Sequence, residues 1–134
     1  MFTCLLPGRF APSWSITKGE GVVVAVIDGG VRWTHDALVG GYRGSKNSSE
    51  ATLPWANAAA AAEATVNHDY SWFDPVYHDK EPADCDGHGT HVTGTAVGGA
   101  GVGLAPGATW VHAKAFNYAG YCKDQWALAT AQWV

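Results

Sequence analysis

The chain has 134 residues, of which 47% are hydrophobic and 15% charged, and 8 Lys and Arg stand against 12 Asp and Glu for a formal net charge of −4. The few cations are scattered rather than gathered into a stripe that could hold phosphates, which argues against a nucleic-acid partner. No run approaches the ~18 consecutive apolar residues that a membrane span requires.

Met1 to Ser15 reads as an irregular lead-in, because Pro7, Gly8 and Pro12 interrupt any regular element, and packing is expected to begin at Trp14. This divides the chain into a lead-in over 1–13 and a single domain over 14–134. The stretch Met1 to Arg9 lacks a basic start and is too short an apolar run for a signal peptide. Val22 to Ile27 is apolar on both alternating faces and rich in β-branched residues, the pattern of a central parallel strand covered on both sides. It runs into Asp28-Gly29-Gly30, so a carboxylate stands at the carboxyl end of the strand, where open α/β sheets build their sites. Arg32 to Leu38 forms a short connection. Gly40 to Thr65 reads as an insertion, with a polar run from Ser45 to Ser49 and a short surface helix over Ala58 to Ala62 that has no apolar stripe. Asn47-Ser48-Ser49 fits a glycosylation acceptor in a secreted protein.

Asp69 to Phe73 suits a short strand ended by Asp74-Pro75, and His78 to Cys85 a polar loop. The stretch Asp86-Gly87-His88-Gly89-Thr90-His91-Val92-Thr93-Gly94 comes next. From Thr90 it reads as a helix that buries Val92 and Ala96 and stops at Gly98-Gly99. Glycines on both sides of His88 leave its imidazole uncovered, and the positive end of the helix macrodipole should disfavour the protonated ring. Gly98 to Gly107 must turn tightly. Thr109 to Phe116 then suits a second central strand, with Trp110, His112, Lys114 and Phe116 on one side and Val111, Ala113 and Ala115 on the other. Asp124 would cap a last helix, whose apolar positions Trp126, Ala129 and Trp133 recur at helical spacing with no stop signal before Val134.

Two of these stretches, Ala25-Val26-Ile27-Asp28-Gly29-Gly30-Val31 and the nonapeptide around His88, resemble in the same order the aspartate and histidine signatures of the subtilisin-like serine proteases, the subtilases. Gly103-Leu104-Ala105-Pro106-Gly107-Ala108 and Lys114-Ala115-Phe116 resemble the segment after the histidine helix in that family. Trp72-Phe73-Asp74-Pro75 and Ala113 to Phe116 are similar in wording to its bacillopeptidase F type. The resemblance implies an α/β chain: a subtilisin-like three-layer fold with a mainly parallel central sheet, present only in part. It implies a serine endopeptidase in which Asp28 orients His88 as the general acid/base for an acyl transfer to serine. No Gly-Thr-Ser-Met-Ala-type segment occurs in the sequence, so the nucleophile would come from a missing C-terminal half of the domain, and this stretch alone is expected to be inactive. Tyr118, Ala119 and Gly120 fall where the family's edge strand pairs with a polypeptide substrate. No cofactor is implied, and the family's usual setting is secreted or lumenal.

Other readings stay open beside this one. A truncated, non-catalytic subtilase remnant that binds peptides would carry the same two motifs. His88 and His91 with Asp84 or Asp86 invite a metal, but the Glu of a His-Glu-x-x-His helix is absent, and the resemblance makes His91 a buried structural residue. No calcium ligand set is assigned, since Gly98 to Gly103 holds no carboxylate. Cys85 and Cys122 fall near the cleft rim by resemblance, either bridged or as buried free thiols. Subtilases carry Ser or Thr directly after the aspartate, where this chain has Gly29.

Overall fold

β-Branched residues favour the pleated conformation, and Val23–Asp28 forms strand β1. The computed structural model describes residues 11–46 and 66–134. Ahead of β1 lies one helical turn, α1 (Ala11–Trp14), where the sequence predicted irregular chain. The indole N–H of Trp14 donates to Leu104 O at 2.8 Å and ties this turn to the body. After β1 come a 3-10 turn at Val39–Gly41, the short helix α2 (Arg43–Lys46), β2 (Trp72–Phe73), α3 (His88–Val97), β3 (Thr109–Lys114) and α4 (Asp124–Trp133). The surface helix predicted over Ala58 to Ala62 and the Asn47-Ser48-Ser49 triplet lie outside the described residues.

The three strands form a parallel sheet in the order β1-β3-β2. Register joins Val24 to Trp110, Val26 to His112 and Asp28 to Lys114, so these six residues share one face. Helix α3 lies on that face, with Thr93 Oγ1 3.4 Å from His112 Nδ1. On the opposite face Trp133 of α4 stacks on Phe73 of β2, ring centroids 5.6 Å apart. Helix, sheet and helix thus make three layers.

β3 is the central strand, buried from Trp110 to Lys114. The sequence predicted that β1 is central as well. It is instead at the edge of the described sheet, and Val23, Ala25 and Ile27 stay exposed on the face away from α3. β2 is also shorter than predicted. Tyr70 takes a positive φ of 56°, and the amides of Ser71 and Trp72 both donate to His68 O, so Asp69 to Ser71 turn instead of extending.

The main core lies beside β3. Trp110 is fully buried among Val31, Leu38, Tyr42, Trp72, Val97 and Ala108. Its indole N–H donates to Leu38 O at 2.9 Å, and its ring lies 4.7 Å from that of Tyr42. The Tyr42 hydroxyl is satisfied by His68 Nδ1 at 2.8 Å, as a buried phenol requires, and burial pushes its pKa up.

His112 stands fully buried on the face that α3 covers. Its Nε2 has no hydrogen-bond partner among the described residues. Burial holds the imidazole at about 4, against 6.5 for an ordinary histidine, outweighing the opposite pull of Asp28 and Asp84 and reinforced by Lys114. The unfolded chain therefore takes up this proton first as pH falls. Stability should be whole above pH 6.5 and fall as pH drops towards 4, by at most a few kcal/mol at about 1.4 kcal/mol per pKa unit. Thermal unfolding followed from pH 7.5 to 4.5 should show this loss, and His112→Leu should flatten it.

Candidate active site

The carboxyl end of β1 and the amino end of α3 meet on the covered face of the sheet. Asp28, 8% exposed, ends β1. His88 opens α3, two residues before the predicted start at Thr90. The His88 Nδ1–H faces both carboxylate oxygens of Asp28, at 2.8 Å from Oδ1 and 3.1 Å from Oδ2. Gly29 N–H donates to the same Oδ1 at 2.6 Å, which orients the carboxylate from its own backbone. The His88 side chain is 68% exposed. With Nδ1 engaged, Nε2 is the ring nitrogen available to exchange a proton with a reacting group.

Two glycines make this meeting possible. A Cβ on Gly89 would stand 2.0 Å from Gly30 O, and one on Gly30, whose φ is +128°, would stand 2.0 Å from Ala83 O. The loop after Asp28 is thus pressed between the helix start and the segment before it. Replacing Gly89 by Ala should force them apart, lowering stability by about 1–3 kcal/mol as overpacking does. The check is a thermal melt together with loss of the downfield proton signal of the His88–Asp28 hydrogen bond. At Gly29 there is more room: a Cβ meets only Asp86 Oδ1, at 3.8 Å.

The hydrogen bond to Asp28 raises the His88 pKa most, followed by that carboxylate's charge; burial opposes them, and Asp86 and Asp84 add smaller upward pulls. The sequence reading expected the helix macrodipole to disfavour the protonated ring. The Asp28 carboxylate, in direct contact with the ring, raises the pKa instead, because a partial charge spread over a helix end is weaker than a full charge close by.

The order of the two motifs, the parallel sheet and this carboxylate–imidazole pair agree with a family assignment that spans almost all of the chain: residues 19–134 match the model of the Subtilase family. The chain belongs to the subtilase family. It is 39% identical over 128 residues to Bacillopeptidase F of Bacillus subtilis (strain 168), an alignment covering 91% of this chain and 8% of that protein. To Subtilisin-like protease 6 of Trichophyton soudanense it is 26% identical, over 96% of this chain and 24% of that one. With Alkaline serine exoprotease A of Vibrio alginolyticus it shares 36% over 64 residues, 48% of this chain and 12% of the other. This subtilase chain therefore spans a quarter or less of the length of these relatives.

The described residues add further detail around this pair. Tyr118, Ala119 and Gly120 lie in a tight turn closed by an antiparallel bridge between Phe116 and Cys122. Their amides are already engaged: Tyr118 N–H donates to Tyr77 Oη at 3.0 Å, Ala119 N–H to Asn117 Oδ1 at 3.0 Å and Gly120 N–H to Asn117 O. Cys85 and Cys122 are free and exposed, neither bridged nor buried; Cys4 lies outside the described residues. His91 is exposed rather than buried, since α3 buries Gly89, Thr90, Thr93, Gly94 and Val97, leaving Val92 and Ala96 only half-buried. Among the described residues no group of three or more His, Cys, Asp and Glu is arranged around a cation position. No helix among them is long and apolar enough to cross a membrane.

Lys114 escaped the sequence reading as a site residue. It is 2% exposed, its ammonium donates to Gly29 O, and it lies 4.9 Å from the centroid of the Tyr118 ring, which stacks on Tyr77 at 4.3 Å. The available signal was its place in the alternation of β3, on the side shared with Trp110 and His112. A cation predicted on a covered face needs a partner.

Proposed function

We propose that this chain supplies the Asp and His of a subtilisin-like serine endopeptidase, with Asp28 as the orienting carboxylate and His88 as the general acid/base. The observation that carries this reading is the 2.8 Å contact of His88 Nδ1 with Asp28 Oδ1. That contact fixes the tautomer with the proton on Nδ1, leaving the Nε2 lone pair to accept the proton of a serine hydroxyl as it attacks a peptide carbonyl. The imidazolium formed is stabilised by Asp28 and returns its proton to the leaving amine. Water repeats the cycle on the acyl-enzyme, and the serine is regenerated.

The serine, the oxyanion donors and most of the specificity pocket come, in this reading, from polypeptide outside the present sequence, which packs against the open face of β1. The segment alone does not hydrolyse peptides. A polypeptide substrate is placed beside the turn at Tyr118, Ala119 and Gly120, pairing through their carbonyls or displacing the donors' present partners. A secreted or lumenal setting accords with this substrate.

The test is to read the coding sequence past the codon for Val134 and to treat the longer product with a fluorophosphonate. Labelling of one serine in a Gly-Thr-Ser-type segment, slowed strongly by His88→Ala, is the expected result. A stop codon after Val134, or labelling indifferent to His88, would overturn the proposal and favour a non-catalytic peptide-binding remnant.

A further inference from the structure

The side chain of His88 is 68% exposed, so little packing holds it in place. Its position is set by one hydrogen bond to Asp28 and by the backbone of the first turn of α3. That turn begins at Gly87, which has no side chain to cap the helix and no side-chain hydrogen bond. Something else must lock the start of α3 to the loop after Asp28. Thr90 is 7% exposed, and its hydroxyl joins both sides. Arg32 N–H, in the loop after β1, donates to Thr90 Oγ1 at 2.8 Å. The same hydroxyl donates to Asp84 Oδ2 at 2.5 Å.

Asp84 completes the lock. Its Oδ2 also accepts Thr90 N–H at 2.9 Å, and its Oδ1 accepts Gly87 N–H at 2.9 Å and Asp86 N–H at 3.3 Å. One carboxylate thus gathers the donors of the turn that leads into His88, the work an N-cap side chain does elsewhere. We infer that Asp84 and Thr90 are positioning residues for the Asp28–His88 pair, joining the loop after β1 to the first turn of α3 so that the imidazole meets the carboxylate. Partial burial pushes the Asp84 carboxyl up, but hydrogen bonds from Thr90, Gly87 and Asp86 overcome this and hold it below the usual carboxylate range, so it stays ionised for the task. A slip of α3 along the loop breaks the Arg32–Thr90 bond and lengthens the Asp28–His88 contact together.

The inference rests on the proton relay proposed above but not on the presence of a serine, so it is tested on the pair itself. In the 134-residue chain with labelled histidine, the His88 titration midpoint and its Nδ1–H resonance are measured by NMR for the native sequence, Thr90→Val and Thr90→Ser. Thr90→Val removes the hydroxyl without changing any charge. The midpoint should fall towards the ordinary imidazole value and the Nδ1–H resonance should disappear, while Thr90→Ser restores both. A merely stabilising role would lower the melting temperature and leave both signals in place; that result in folded Thr90→Val would overturn the inference. If Thr90→Val does not fold, Thr90→Ala and Asp84→Asn take its place, and an unchanged Nδ1–H resonance in either one overturns it equally. If the protease reading fails, no serine is labelled in the longer product, yet the response of His88 to Thr90 is still read.

Discussion

In a complete catalytic domain, Asp28→Asn should lower kcat by about 10⁴-fold, the scale seen when the orienting aspartate of a Ser-His-Asp triad is altered. The reason is local. His88 Nδ1 lies within hydrogen-bond distance of both Asp28 oxygens, and Gly29 N–H already fixes the carboxylate. An Asn amide is nearly isosteric, but its oxygen stays with Gly29 N–H and its NH₂ takes the second position facing Nδ1, so the charge that stabilises the imidazolium is lost and the tautomer with the proton on Nδ1 is no longer enforced. Loss of the carboxylate also removes the largest cause of the raised His88 pKa. The acid limb of kcat/KM reports the free enzyme's base. In the native domain it should lie on the alkaline side of the ordinary histidine value, and in the variant it should move to lower pH. The fold should survive, because the substitution leaves the shape of the site unchanged. Stopped-flow acylation and a thermal melt on the same sample check both halves; an equal loss of activity and stability would mean that Asp28 is structural.

Trp110→Ala should cost about 3–5 kcal/mol, enough to unfold a domain of ordinary stability. Trp110 is fully buried in the central strand, packs on Tyr42 at 4.7 Å, and donates its indole N–H to Leu38 O. Truncation leaves a cavity between β3 and the 3-10 turn and removes one of the two hydrogen bonds that Leu38 O accepts, the other coming from Gly41 N–H. Trp110→Phe fills most of the space and loses the same indole bond, so it should cost less, and urea midpoints of the pair separate packing from hydrogen bonding.

The meeting of Asp28 and His88 was legible because both residues sit in short glycine-bearing motifs at element ends, and the alternation of β3 put Trp110, His112 and Lys114 on one side. What escaped depends on contacts between distant segments. α3 buries Gly89, where the loop at Gly30 approaches too closely for a side chain, together with Thr90, Thr93 and Gly94, whereas hydropathy pointed to Val92 and Ala96. No motif singled out Asn117, whose Oδ1 captures the amides of Ala119 and Tyr121 and closes the turn that holds Tyr118 to Gly120. The direction of the His88 pKa is set by the contact with Asp28, whose closeness only the packing of α3 against the end of β1 fixes. β1 has the apolar run of a strand covered on both faces, but periodicity does not say which residues supply the second cover.

The strand order has a consequence for how the chain is made. β1 and β2 meet only through β3, the last of the described strands, so these strands form no sheet until the nascent chain has emerged through Lys114. Until then only the contacts between α3 and the loop after β1 bring Asp28 and His88 together. Parallel pairings across so long a separation form slowly. The sheet beneath the aspartate and histidine halves of the site is therefore completed late, by a strand that carries neither.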